Sequence, residues 1–533
     1  MTTVEPLSAR ASGAEAERPL WRLGHMLDGA TEAAPNSTAL IVGAQRRRIS
    51  YANLADLVVA QCQVLQHSGL RPGDVVALES TNSVEFVVGL LAAARADIVV
   101  APLDPALPAA ERRTRVEMAG ARVTLVDGRQ RDSGPSRGSH PAWLLKPTSA
   151  SAADATPALH LVAPYSARAV NKPIPGLTGR DALIMFTSGT TAKPKMVPWT
   201  HDNIAASIAG IISAYQLKPC DATVAVAPLF HGHGLIAGLL ATLATGGRVL
   251  LPARGRFSAN TFWDDVAAVD ATWYTAVPTI HQILLDRAST ELPRGYHGRL
   301  RFIRSCSASL SPATVQRMEA TFGAPVLAAY GATEATHQAS TVLPFDNEPT
   351  RLNTVGTPTG LSVRIVDDNG KTCPIGVTGE IWLSGPTVVR GYINDSAATA
   401  SNFVDGWLRT GDLGAVDGHG ALSVKGRIKE LINRGGEKIS PERVEDVLTS
   451  HPDVAQAVVF GIPDALFGER VAAVVVPRDG CRLDLITYSR GRLADFEIPE
   501  RIAFADELPL TAKGSVNRPK VAEQFGRQHP GTS

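Results

Sequence analysis

Cysteine is scarce in this chain, with five in 533 residues, far apart and none in a Cys-x-x-Cys pair. That spacing excludes a disulfide framework and argues against a structural zinc, and it fits a reducing compartment. A surplus of one charge is also lacking, since 52 Lys and Arg stand against 51 Asp and Glu. Nucleic-acid or membrane-surface binding would call for a basic excess. The clusters Arg46-Arg47-Arg48 and Arg112-Arg113-Thr114-Arg115 are short, carry no interleaved aromatics, and read as solvated faces. Long apolar runs are missing too: the stretches around Val87–Ala94 and Gly234–Leu243 are too short to span a bilayer. Residues 1–20 contain acids and no apolar centre, so a flexible tail is expected there and not a signal peptide. A soluble, cytoplasmic protein is the expectation.

What the chain does have is an ordinary globular composition, 44% hydrophobic and 19% charged. Its length calls for about two to four folded units. Between Ser50 and Leu107, helical runs (YANLADLVVAQCQVLQHSGL, VEFVVGLLAAARA) alternate with strand-like ones (VVALE, IVVAPLD). Alternation of this kind predicts a parallel sheet with helices on both faces. Residues 128–158, rich in Ser, Gly, Pro, Arg and Ala, read as a loop or connector. A second alternating region starts at Ala182. There Thr200 is a candidate cap for a helix that sets Ile204, Ile208 and Ile211 on one face. From about 350 to 428, short strands with Gly and Asp turns predict hairpins or a small barrel. A compact α+β segment follows, with Ser440-Pro441 opening a helix.

Several motif matches fail on context. Gly134-Pro135-Ser136-Arg137-Gly138 fits a nucleophile elbow but lacks the strand before it and the helix after it. Gly370-Lys371-Thr372 resembles the end of a P-loop, but Ile365 occupies the first glycine position. His231-Gly232-His233 lacks further metal ligands nearby and reads as a pocket or core pair, His233 as a histidine bonded to backbone. One stretch survives. Residues 186–196, FTSGTTAKPKM, place hydroxyls, a glycine and two lysines between a predicted strand and a helix. In that context small residues let backbone N–H groups approach a phosphate, and lysine adds charge.

Thr187-Ser188-Gly189-Thr190-Thr191-Ala192-Lys193-Pro194-Lys195 resembles the phosphate loop of the acyl-adenylate-forming enzymes, the superfamily of acyl-CoA synthetases, luciferase and adenylation domains. Further stretches like those of that superfamily follow in order: PLFHGHGL (228–235), AYGATE (329–334), RTGDLG (409–414), GRIKELINRGGEKISP (426–441) and LPLTAKGSVNR (508–518). Within it, GRFSANTFWDDV, LRFIRSCSASL and AYGATEATHQAS are similar to the oxalate–CoA ligases.

The resemblance implies two doubly wound α/β subdomains and a small β-barrel in a large N-terminal domain, residues 21–428, with a mobile α+β C-terminal domain, residues 429–533. It implies ATP- and Mg²⁺-dependent adenylation of a small carboxylic acid, then thioester formation with CoA. Thr187, Ser188, Gly189, Thr190, Thr191, Lys193 and Lys195 would hold phosphates, together with Thr333. Glu334 would hold the metal, and Tyr330, followed by Gly331, would stack on adenine. Asp412 would take the ribose hydroxyls and Arg427 the ribose or phosphate. Lys429 would be the hinge, and Gly435 and Gly436 would pass the pantetheine arm. His231, Ser307 and His337 would line an unusually polar acyl pocket, with His231 also counted as catalytic.

One departure concerns charge. The superfamily has a catalytic lysine after the last glycine, whereas here Ser515 follows Gly514. Lys513 offers a cation displaced by two positions, and the step joins two anions, so charge is what it needs. Ala192 and Met196 replace usual glycines and would stiffen the loop. Fatty-acid activation, or an acyl-adenylate binder that has lost turnover, are the alternative readings.

Overall fold

A computed structural model describes residues 22–127, 142–147, 159–162, 174–187, 194–293, 299–478, 483–511 and 515–526. The expected tail therefore lies outside the described residues, as does the discarded Gly134–Gly138 match.

The first sheet has seven strands, in the order Leu159–Val162, Ala142–Pro147, Val123–Asp127, Val75–Glu79, Val99–Leu103, Asp181–Thr187, Lys195–Thr200. The two edge strands pair antiparallel and the inner five pair parallel. Its central strands are buried on both faces, which explains their continuous apolar spelling. Val76, Leu78 and Val100 pack with Leu54, Phe86 and Leu90 of helices Tyr51–His67 and Val84–Arg95. The alternate residues Val75, Ala77, Val99 and Ala101 pack with Val116 of helix Ala109–Met118 on the other face. Strand Ala142–Pro147 falls inside the segment expected to be a connector. Its short WLL run was hidden by flanking Ser, Gly and Pro, and parallel pairing with Val123–Asp127 supplies the missing hydrogen bonds.

Helix His201–Tyr215 begins where predicted, with Thr200 and Asn203 forming a reciprocal capping box. Ile204, Ile208 and Ile211 are all buried. Beyond it lie two further sheets. One orders Ala222–Val224, Arg248–Leu251, Thr38–Val42 and Arg47–Ser50. The other orders Trp273–Ala276, Phe302–Cys306, Val326–Tyr330, Ser340–Thr341 and Thr357–Pro358, its first three strands parallel.

The residues expected to form hairpins or a barrel make a five-stranded antiparallel sheet, Ser362–Val366, Gly379–Ser384, Trp407–Val416, Phe403–Val404 and Leu422–Arg427. The hairpins are present; a pairing that would close a barrel is not among those of the described residues. The C-terminal part folds around its own apolar clusters, built only from residues between Ile432 and Phe525. The chain is thus an α/β multidomain protein with a large N-terminal and a smaller C-terminal unit. Arg478 of the latter pairs with Asp286 of the former at 2.6 Å.

Candidate active site

In parallel sheets, ligands gather at the carboxyl ends of the strands. Thr187, Ser307 and Gly331 stand at or just past such ends, after strands Asp181–Thr187, Phe302–Cys306 and Val326–Tyr330. Ser188, Gly189, Thr190, Thr191, Ala192 and Lys193 lie outside the described residues, but Thr187 and Lys195 face each other across an antiparallel pair. The Lys195 ammonium sits 4.4 Å from the Tyr392 ring centroid, and the Tyr392 hydroxyl donates to Glu334 Oε1 at 2.8 Å. Burial and the Glu334 carboxylate push the Tyr392 phenol up, so it remains a donor. The base of the predicted phosphate loop and the predicted metal ligand are thereby joined through Tyr392, which sequence reading missed because it lies outside every motif.

The backbone around Glu334 is held at several points. Trp199 Nε1 donates to Thr333 O at 2.8 Å, and Val389 N to Glu334 O at 2.9 Å. Thr336 and His337 then adopt left-handed backbone, φ 50° and 84°. Two hydrogen bonds of 2.6 Å tie the buried Thr336 down, its hydroxyl donating to Thr387 O and its carbonyl accepting from Ser207. Gly331 cannot be anything larger, because a Cβ there would lie 1.5 Å from His337 O.

The residues expected on the nucleotide side converge as well. Tyr330 donates its hydroxyl to Asp412 Oδ2 at 2.7 Å, and Arg427 Nε sits 2.9 Å from Asp412 Oδ1. Burial raises the Asp412 carboxyl, against the opposing pull of Arg427 and Tyr330. Lys429 is exposed in the short turn Ile428–Glu430 directly after Arg427. Gly435 and Gly436 (φ 62° and 97°) form the turn between strands Ile432–Arg434 and Glu437–Ile439. Lys513 lies outside the described residues; Ser515 O accepts from Thr511 N at 2.7 Å, bringing the chain on either side of it together.

Residues expected on the acyl side cluster too. PLFHGHGL leads into a π-helical stretch, His233–Leu240, a geometry that recurs at functional sites. His233 is buried, as a core histidine would be, but its partners are side chains and not backbone. Nε2 is 2.6 Å from Thr275 Oγ1, and Nδ1 is 3.2 Å from Ser307 Oγ. Its ring stacks on that of His337 with centroids 5.5 Å apart. His231 is half-buried and packs against Phe230 at 4.8 Å. Behind His337 lies Arg304, fully buried, donating to His337 Nε2 at 3.0 Å. Arg304 was also missed. Its signal was a charged residue in the middle of an otherwise apolar strand, LRFIRSC.

Burial, followed by the Arg304 charge, drives both His233 and His337 well below the usual imidazole range, so both are neutral near pH 7. This cluster therefore consists of neutral donors and hydroxyls set against one permanent cation.

Hydroxyls at strand ends, a tyrosine–aspartate–arginine group centred on the buried Asp412 and a separate small C-terminal unit fit a nucleotide-using α/β ligase. The chain belongs to the AMP-binding enzyme family, which matches residues 27–393, with its C-terminal domain at 443–515. It is 42% identical over 515 residues to an oxalate–CoA ligase of Arabidopsis thaliana, covering 94% of this chain and 98% of that protein. A sulfoacetate–CoA ligase of Cupriavidus necator is 35% identical, with 85% and 88% covered. ATP-bound MatB from Rhodopseudomonas palustris superposes with a TM-score of 0.82 at 29% identity, covering 95% of this chain and 99% of that one. The protein is an acyl-CoA synthetase of the AMP-forming type, an acid–thiol ligase that uses ATP and CoA. Among the described residues, no helix is long and apolar enough to cross a membrane.

Proposed function

We propose that the acid activated is oxalate or a similarly short acid with a second anionic group. The observation that carries this reading is the polar cluster in which Ser307, His233 and His337 meet at bonding and stacking distance. A fatty acid would want an apolar wall, since each buried methylene contributes about 0.8 kcal/mol. A second carboxylate instead is costly to bury unless donors or cations meet it. The relatives named for oxalate and sulfoacetate both act on small acids of this kind.

In this reading a carboxylate oxygen of the acid attacks the α-phosphorus of ATP, and the bond to diphosphate breaks. The CoA sulfur then attacks the acyl carbon, AMP leaves, and the thiol proton passes to solvent. Thr187, Ser188, Gly189, Thr190, Thr191, Lys193 and Lys195 would cradle the phosphates, with Thr333 opposite them. Tyr330 and Gly331 would border the adenine, and Asp412 and Arg427 the ribose. Glu334 is a hard oxygen donor beside the phosphate loop and fits Mg²⁺, which binds through one or two carboxylates and substrate phosphates. When bound, the ion neutralises phosphate charge. Lys513 would bring positive charge to the carboxylate and α-phosphate. We place the domain boundary between residues 428 and 429, with Lys429 as hinge, so that the C-terminal domain, 429–533, rotates between the two half-reactions. Rotation would bring Gly435 and Gly436 to the pantetheine arm. CoA-dependent AMP formation across a panel from oxalate to long-chain acids tests the substrate. Efficient use of acids of eight carbons or more, with none of oxalate, would overturn it and leave the ligase assignment standing.

A further inference from the structure

Arg304 occupies the middle strand Phe302–Cys306 and is 0% exposed. Its donors go to Tyr215 Oη (2.9 Å), Thr275 Oγ1 (3.1 Å), Gln338 Oε1 (2.9 Å) and His337 Nε2 (3.0 Å). Cys306 is a further side-chain partner, and none of these groups is an Asp or Glu. Among the described residues no Asp or Glu forms an ion pair with it, whereas the other buried arginine, Arg112, pairs with Glu79 at 3.3 Å. A guanidinium stays charged at any ordinary pH, and a buried charge with no counter-ion is costly.

The contact with His337 has a second consequence. Arginine carries donors only, so His337 Nε2 must accept. The single proton of the neutral ring is then on Nδ1. His337 Nδ1 makes no hydrogen bond among the described residues, while its ring lies beside that of His233, which in turn reaches the exposed Ser307. Arg304 thus sets one face of His337 as a fixed N–H donor, and its charge stands one hydrogen bond behind that donor.

We propose that Arg304 is a positioning residue for the distal anionic group of the substrate: it locks His337 as an Nδ1–H donor and supplies the counter-charge that makes a short dianion bind better than a monoacid. The inference rests on the short-diacid reading of this site. A monoacid such as acetate has no group to take either the donor or the charge.

The test compares Arg304→Gln and Arg304→Lys with the wild type in steady-state AMP formation with oxalate and with acetate, with ATP binding followed by calorimetry as a control on folding. For Arg304→Gln, kcat/KM for oxalate should fall about 100-fold, mainly through KM, while that for acetate changes less than about threefold. Arg304→Lys, which keeps the charge but loses the fork, should recover about tenfold of the oxalate loss. An equal fall for both acids, or an unchanged oxalate KM, would overturn the inference. If Arg304→Gln does not bind ATP, Arg304→Lys decides alone: a roughly tenfold drop in the preference for oxalate over acetate supports the inference, and wild-type kinetics on both acids refutes it. A wild type that rejects oxalate while using longer monoacids removes the short-diacid reading itself. A wild type that uses oxalate beside a variant that keeps its selectivity removes only the role of Arg304.

Discussion

Tyr392 donates its hydroxyl to Glu334 at 2.8 Å while the same ring carries the Lys195 ammonium on its face at 4.4 Å. Three separated stretches of sequence meet there, and Tyr392 orients the carboxylate without neutralising it. Replacing Glu334 by Gln keeps size and removes the anion, so adenylation, followed as diphosphate release, should fall by about 100-fold or more. Tyr392→Phe removes one charge-assisted hydrogen bond and should cost about tenfold. Near-normal diphosphate release by Glu334→Gln would end the metal-ligand assignment.

The proposed role of Lys513 in adenylation alone can be tested by measuring the two half-reactions separately. If it supplies the charge that Ser515 cannot, Lys513→Ala should slow adenylation by at least about 100-fold and spare thioester formation from a supplied acyl-adenylate. Survival of both half-reactions would show that the charge comes from elsewhere. Ser515→Lys is the complement, and faster adenylation in it would mark the natural arrangement as suboptimal.

The C-terminal unit carries a pH dependence of its own. Arg518 engages Glu430, Glu442 and Glu445, joining the turn after Arg427 to helix Pro441–Thr449. Burial pushes Glu445 up to about 7 despite Arg518, and Asp446 up to about 6. A carboxyl whose folded pKa lies above its unfolded one binds its proton more tightly when folded. Its contribution is therefore full below the unfolded value of about 4.3 and is lost as pH rises through the folded value. Stability of this unit should decline between about pH 4.5 and 7, by roughly 3 kcal/mol from Glu445. Denaturant unfolding at pH 5 and pH 7.5 measures the slope, which Glu445→Gln should flatten. An unchanged slope in that variant would assign the effect to other groups.

The parts legible in the sequence were those where local chemistry and tertiary packing ask for the same residues. Thr200 caps its helix, Ser440 accepts from Arg443 N, and the isoleucine stripe after Thr200 is buried, because capping and amphipathic spacing are local signals. Strand Ala142–Pro147 was not legible, since its apolar run is short and its flanks spell a loop. Tyr392 and Arg304 went unread for a related reason. Their meaning lies in Glu334 and His337, which only the fold brings near. The same holds for the partners of His233, whose hydroxyls come from residues 275 and 307.

His337 allows a finer test of the substrate, because backbone and side chain can be separated. Its φ of 84° is a conformation that Asn adopts more readily than Ala. An Asn side-chain amide also places an N–H close to the Nδ1 position of His, whereas Ala places nothing there. His337→Ala removes the donor and exposes the Arg304 charge to an empty space, so oxalate use should weaken by about 30-fold or more, and acetate use by much less. His337→Asn should restore most of the oxalate activity, since donor and backbone are both retained. Competition between oxalate and acetate in one reaction, with the two acyl-CoA products separated, reads the ratio directly and cancels differences in active enzyme. If His337→Asn is as poor on oxalate as His337→Ala, the donor at Nδ1 is not what recognises the second carboxylate.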